Sequence, residues 1–306
     1  MRKLLTAIGA AALVLVVLAG CGSSSSSSSS TSTSTTTSST ASGGAGGADA
    51  SIVAQVPASV KSKGTLTIAS DATYAPNEYV APDGHTVVGM DVDLMNAIGA
   101  KMGLKVKFIN ATFDTIIPGL AAGKYDLGVS SFTDTKEREK TVDFVDYFTA
   151  GISFYTKSSA NPGVNTVEDL CGKSVSVEKG TVEQEEAEAQ SKKCEKAGKS
   201  AVKVLTYPDQ NGANLAISSG RAEVGMADSP IAAYQVKQSG GQFKLVGKEY
   251  EVAPYGIAIP KQSGLSAPIL ASLKAIIADG TYTSILAKWG EQPGAIKEPT
   301  INGATG

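Results

Sequence analysis

The sequence predicts an α/β protein of two lobes joined by two connecting segments, with a cleft between the lobes. Three observations carry this expectation. Strand-period and helix-period segments alternate in two successive runs, as they do where helices pack on a sheet. A short apolar segment at residues 149–155 separates the runs, and residues 249–256 lead out of the second. The last two helical segments have no sheet of their own, so they need an existing core and return the chain to the first lobe.

In chain order, Arg2 and Lys3 precede an apolar run at residues 4–19. This is a basic n-region followed by an h-region too short to favour a spanning helix, so residues 1–20 read as an export signal. The run ends in Leu18-Ala19-Gly20-Cys21, which resembles the lipobox of bacterial lipoproteins and implies cleavage before Cys21 with lipidation of its thiol. Residues 22–48 are almost wholly Ser, Thr, Gly and Ala and cannot bury enough apolar surface to order themselves. Residues 21–50 therefore read as a flexible tether, about 28 Å in r.m.s. span for roughly 26 residues.

After a lead at 52–62, residues 65–70 alternate Leu66 and Ile68 on one face, as a strand does. Leu94, Met95, Ile98 and Met102 fall at helical spacing over 91–102. Residues 105–109 read as a strand, 113–122 as a helix with Ile116, Ile117 and Leu120 inward, and 127–130 as a strand. The second run reads as strands at 174–177, 202–207 and 223–227, alternating with helices at 182–197, 212–219 and 229–239. A strand at 255–259 and helices at 269–278 and 282–289 close the fold. The expected organisation is lobe 1 at 62–151 plus 254–292, lobe 2 at 152–253 and a C-terminal tail at 293–306, with hinges at 149–153 and 252–256.

Cys171 and Cys194 remain after the lipidated cysteine, and an exported chain lives where disulfides persist, so the two are expected to pair. The 306 residues carry 27 basic and 29 acidic side chains. Removing residues 1–20 takes away Arg2 and Lys3 and no acid. Neither balance gives the broad positive field that nucleic acid binding draws on. The single His, His85, lies in a turn-like Pro82-Asp83-Gly84, so a zinc site or a His-based triad has almost nothing to be built from. No phosphate-binding loop, dinucleotide fingerprint or nucleophile elbow is present. No metal and no cofactor is expected.

Polar residues do gather where strands run out into helices, the edge at which α/β proteins bind ligands. Ser130, Ser131 and Thr133 lead from a strand to Arg138, whose planar guanidinium suits a carboxylate. Lys179, Gly180, Thr181 and Val182 open a helix whose N-terminal N–H groups favour an anion. Asp228 stands between a strand and Ser229-Pro230, placed to cap the helix or to bind a cation. Asp71 and Tyr74 follow the first strand, and Phe113 starts a helix.

With these residues the chain resembles the family 3 extracellular solute-binding proteins, the polar amino acid receptors of ABC importers. The likeness runs from Gly64 to Gly290 through Asp71-x-x-Tyr74-Ala75-Pro76, Gly89-Met90-Asp91-Val92-Asp93-Leu94, Phe113-x-x-Ile116-Ile117-Pro118, Thr133 to Arg138, Asp143-Phe144, Lys179-Gly180-Thr181 and Lys288-Trp289-Gly290. The resemblance implies the type II periplasmic-binding-protein-like fold. It also implies that Arg138 clamps an α-carboxylate with help from Thr133 and the 180–182 backbone. Asp228 then takes the α-ammonium with Ser131, and Tyr74 and Phe113 sandwich the ligand side chain.

Two departures bear on the ligand. Asn77 stands where relatives commonly carry an aromatic, and Glu178 where they often carry Lys, Leu or Gln. Glu178 with Asp71 suggests a pocket tolerant of Lys, Arg, ornithine or His, while glutamine, glutamate and asparagine stay open. The expected protein is a monomeric, lipid-anchored, extracytoplasmic receptor. It closes on a free amino acid and delivers it to a membrane permease served by a separate ATPase subunit, with no chemical step. The alternatives are a ligand sensor module and a cyclohexadienyl-dehydratase-like enzyme on the same scaffold.

Overall fold

Two short helices, α1 (Ala50–Gln55) and α2 (Ala58–Lys63), open the first lobe of the computed structural model, which describes residues 47–304. The export signal, Cys21 and the tether up to residue 46 lie outside the described residues. Asp49 caps α1 by accepting from the Ser51 and Ile52 amides, and Ile52 and Val56 drop into the core of lobe 1. The sequence lead at 52–62 is thus helical.

Lobe 1 continues with β1 (Thr65–Ser70), a small antiparallel sheet of β2 (Thr73–Tyr74), β3 (Glu78–Val80) and β4 (Val87–Val88), then α3 (Met90–Lys101), β5 (Lys105–Asn110), α4 (Phe113–Ala121) and β6 (Leu127–Thr133). β1 lies between β5 and β6 with parallel pairing. Leu66, Ile68, Leu94, Ile98, Leu127 and Val129 fill one face of this sheet, and Phe113, Ile116, Leu120, Phe132 and Phe144 the other. Sheet and helices each hide an apolar face that water would penalise.

Strand β7 (Val142–Lys157) then crosses into lobe 2, which holds β8 (Ser174–Glu178), α5 (Val182–Lys196), β9 (Lys203–Tyr207), α6 (Gln210–Ser218), β10 (Val224–Asp228) and α7 (Ser229–Gln238). Strand β11 (Phe243–Pro260) returns to lobe 1, where α8 (Ser266–Ala278) and α9 (Thr281–Trp289) pack on its core. The eight-stranded sheet has the order β5-β1-β6-β11-β7-β10-β8-β9. The two connecting segments are therefore neighbouring antiparallel strands shared by both lobes. Phe144 pairs with Ala258 in lobe 1, and Phe154 pairs with Val246 and Met226 in lobe 2.

The ladder slips between Val246 and Tyr250 and again between Tyr250 and Ala253, where one lobe gives way to the other. Bulges of this kind bend a strand and loosen its pairing, which suits a hinge. Gly151 lies at this crossing because a Cβ there would come within 2.6 Å of Glu249 Cγ and of the Tyr250 carbonyl. The Gly151 amide donates to Glu249 Oε1 at 2.8 Å.

Cys171 and Cys194 form a disulfide with Cα atoms 5.6 Å apart, tying the turn before β8 to the end of α5. Beyond α9 the chain lies along lobe 1. Ile301 bridges to Val145, Thr300 and the Gly303 amide donate to Asp146 Oδ2, and the Ala304 amide donates to Asp134 Oδ2.

Candidate ligand-binding cleft

The ends of β1, β6, β8 and β10 all reach the seam between the lobes, and each delivers polar groups to it. From lobe 1, Arg138 begins a 3-10 turn just after β6. Its Nη1 donates to the Thr133 carbonyl at 2.8 Å, and its Nη2 crosses the cleft to the Gly180 carbonyl at 3.0 Å. The guanidinium lies 5.4 Å from the centre of the Phe113 ring and 5.7 Å from that of Phe132, and the two rings stack on each other. Two of its N–H groups hold it in place, and the others can meet a carboxylate.

Ser131 lies inside β6 rather than after it, with a φ of 50° that non-glycine residues rarely adopt. Three buried partners impose that conformation. The Asp91 carboxylate accepts from the Ser131 amide at 3.1 Å, Asn77 Nδ2 donates to Ser131 Oγ at 2.8 Å, and Glu78 lies on its other side. Tyr147 in turn donates to Asp91. Burial pushes Asp91 up to about 6, and burial beside the charge of Asp91 raises Glu78 well above the carboxylate range. Through their contacts with Ser131 the two carboxyls fix the backbone that faces the cleft.

Asp71 is anchored by Thr73 Oγ1, which donates at 2.6 Å, and by the Phe113 amide at 3.1 Å. From lobe 2, the buried Glu178 carboxyl stands beside it, one of its oxygens without a hydrogen-bond partner among the described residues. Burial raises both carboxyls, and the charge of Asp71 adds to the rise at Glu178. Asp228, the last residue of β10, makes no side-chain cap to α7. It accepts instead from the Tyr74 hydroxyl at 2.7 Å, across the cleft. Burial lifts it to about 6. Glu183, on the first turn of α5, is 2% exposed, and burial beside Asp228 raises it well above the carboxylate range.

Tyr74, Phe113, Ser131, Thr133, Arg138, Glu178, Thr181, Val182, Glu183 and Asp228 line the cavity these groups enclose. It measures about 10 Å³, room for about one water. Further contacts bind the lobes around it. Lys179 pairs with Asp114 at 2.8 Å, and the Gln210 amide donates to Thr73 Oγ1 at 3.1 Å. At Gly180, with φ of 82°, a Cβ would stand 2.9 Å from Asp114 Cβ, so only glycine lets α5 approach α4 this closely. A ligand larger than a water reaches these groups only when the lobes part.

The sequence-derived residues are not all equivalent in space. Ser130 faces away from the cavity: its hydroxyl donates to Glu78 and accepts from the Asp71 amide. The Gly180 amide donates to Gln184 Oε1, and Thr181 Oγ1 donates to the Glu178 carbonyl while capping Gln184, so these donors hold the turn. Asn77 is buried behind Ser131 and does not line the cavity. Glu183, Glu78 and Asp91 were not read as site residues. Glu183 is one of five acids within residues 183–195 of a polar helix, and only its burial sets it apart. An isolated Glu78 among Asn77, Tyr79 and Val80 was the available signal for a buried acid.

Known proteins match most of this chain. Residues 66–292 match the model of the bacterial extracellular solute-binding proteins, family 3. The arginine-binding protein ArgT of Corynebacterium glutamicum is 34% identical over 252 residues, covering 82% of each chain. An ancestral arginine-binding protein bound to arginine is 37% identical, with a TM-score of 0.68 over 74% of this chain and 98% of that one. Bound to glutamine, an ancestral arginine-binding protein is 36% identical, with a TM-score of 0.69 over 75% and 99% of the two chains.

Proposed function

The chain belongs to the family 3 bacterial extracellular solute-binding proteins, and from that premise we propose that it captures a basic L-amino acid, arginine foremost, by closing its lobes. The observation that carries the choice of ligand is the meeting of Asp71 and Glu178 from opposite lobes. Two carboxyls buried face to face cannot both ionise unless a cation lies between them. A guanidinium or ammonium at the tip of a ligand side chain supplies that cation.

The rest of the ligand has partners at the other end of the cleft. Arg138 receives the α-carboxylate, and Asp228 with Glu183 behind it receives the α-ammonium. Tyr74 and Phe113 flank the aliphatic stem. Three acids, Glu178, Glu183 and Asp228, share the cavity with the single guanidinium of Arg138, and Asp71 stands next to Glu178, an excess that favours a ligand with net positive charge. Arginine and glutamine in the ancestral relatives' structures show that one such scaffold takes both. Here the acid pair tips the balance to the cation.

Closure is a population shift. The hinge strands β7 and β11 let the lobes part, and the ligand favours the shut form because Arg138 and Asp228 engage it together only there. No bond in the ligand need change, so the role is binding rather than catalysis. Closure is then the state read by a membrane permease powered by a separate ATPase. A lipid on Cys21 keeps the receptor at the outer side of the cell membrane within reach of that permease.

Thermal unfolding against the twenty amino acids plus ornithine tests the reading. A ligand at about 100 times its Kd stabilises by roughly 2.7 kcal/mol. Arginine, lysine or ornithine should give the largest shift. No shift with any of them would overturn the proposal.

A further inference from the structure

We propose that the hinge carries a second binding site, on lobe walls apart from the amino-acid cleft, for a compact organic cation with an apolar body. A cavity of about 520 Å³ opens beside the hinge strands. That is the size of a small-ligand pocket. Phe148, Thr149, Trp289 to Glu291, Pro293 and Gly294 line it from lobe 1, while Ser153, Ser229, Tyr234 and residues 245–249 line it from lobe 2. None of the cavity's walls is a residue of the amino-acid cleft.

Glu291 gives this space its chemistry. Its side chain belongs to a residue only 8% exposed, yet its carboxyl makes no hydrogen bond and no ion pair among the described residues. The carboxyl oxygens are not among the fully buried unpaired atoms, so they face the solvent-filled cavity, where a ligand can meet them. Burial and the charge of Asp91 push the carboxyl up to about 7, as expected of an acid with no cation at hand. Ser153, a residue 7% exposed, lines the same space with a hydroxyl that makes no hydrogen bond among the described residues.

The remaining wall is apolar and aromatic. Leu245 and Val252 are 46% and 63% exposed, large hydrophobics that border the cavity without cover. Trp289 and Tyr234 add ring surface, which attracts cations as well as apolar groups. Lys237 and Lys248 also line the cavity, but both are exposed to water, where their charges are screened. Glu249 is already engaged by the Gly151 amide and the Ser229 hydroxyl. The unmatched charge inside is negative and the unmatched surface apolar, so the fitting occupant carries one positive charge on an apolar frame.

The test uses phenethylammonium as probe and 2-phenylethanol as its neutral counterpart, titrated into the full chain at pH 8 by ligand-observed NMR. The expected result is that phenethylammonium binds and that Glu291→Gln weakens it at least about tenfold, the loss of one charge-assisted contact. The neutral probe should bind both forms alike. Excess L-arginine should leave phenethylammonium bound, which separates this site from the amino-acid cleft. The isosteric Glu291→Gln keeps the packing, and an unchanged melting temperature confirms it. No binding of phenethylammonium, equal binding to Glu291→Gln, or displacement of the probe by L-arginine would each overturn the proposal.

Discussion

The phenol of Tyr74, on the first lobe, donates to Asp228 Oδ2 on the second at 2.7 Å, and its oxygen also accepts from the Asp228 amide at 3.3 Å. Both side chains are buried, at 6% exposure each. The bond exists only when the lobes are shut, so it contributes to closure itself. Tyr74→Phe leaves the ring in place and removes the donor. We expect about tenfold weaker amino-acid binding by titration calorimetry, because a buried carboxylate left short of a donor costs on the order of 1–3 kcal/mol. Unchanged affinity would show that the bond does not favour the closed form.

Glu178→Gln tests ligand choice. The amide keeps the shape of the side chain and removes one of the two carboxyls that face each other across the cleft. Arginine binding should weaken at least about tenfold, as for loss of a charge-assisted contact, while glutamine binding should hold or improve. Competition between the two amino acids reads the ratio directly. Parallel losses for both would mean that the acid pair does not select for charge.

Affinity should depend on pH with a defined sign. Burial raises Asp71, Glu178 and Asp228, the last to about 6. A cationic ligand draws these groups into the ionised form, so binding releases protons and strengthens as pH rises. Arginine's Kd should therefore fall between pH 5 and pH 8. Calorimetry in two buffers of different ionisation enthalpy should show net proton release at pH 6. Proton uptake, or a Kd that rises with pH, would contradict the assignment.

The disulfide should matter to lobe 2 more than to the site. Cys171 and Cys194 are 23 residues apart in sequence. In the chain-entropy model the closed loop stabilises by about 3 kcal/mol. Replacing both cysteines by alanine should lower the denaturation midpoint while arginine affinity stays close to that of the parent at low temperature. A lost affinity at temperatures where the variant is folded would tie the bridge to the cleft instead.

Much of this arrangement was legible in the sequence because its signals are local. Leu66 and Ile68 alternate, Leu94 and Ile98 repeat at helical spacing, and Arg138 and Asp228 follow strands, so the fold class and the cleft edge could be read directly. The full hinge strands could not. The stretch Lys248-Glu249-Tyr250-Glu251 in β11 is polar and broken by register shifts, and reads as a loop until β7 is seen beside it. The β2–β4 sheet escaped because its strands are two or three residues long. Ser131 was placed beyond its strand, since nothing local shows that Asp91, Asn77 and Glu78 converge on it from residues far away in sequence. Glu183 escaped for the same reason: burial is a tertiary property, and the helix around it looks uniformly solvated.

Arg138 tests the central claim most directly. L-arginine titrated into the parent protein and into Arg138→Ala compares a cleft that can pair the ligand carboxylate with one that buries it unpaired. The account predicts a loss of about 3 kcal/mol or more, on the order of a hundredfold in Kd. Affinities within about threefold of each other, a difference of about 0.7 kcal/mol, would contradict the clamp and the capture mechanism built on it.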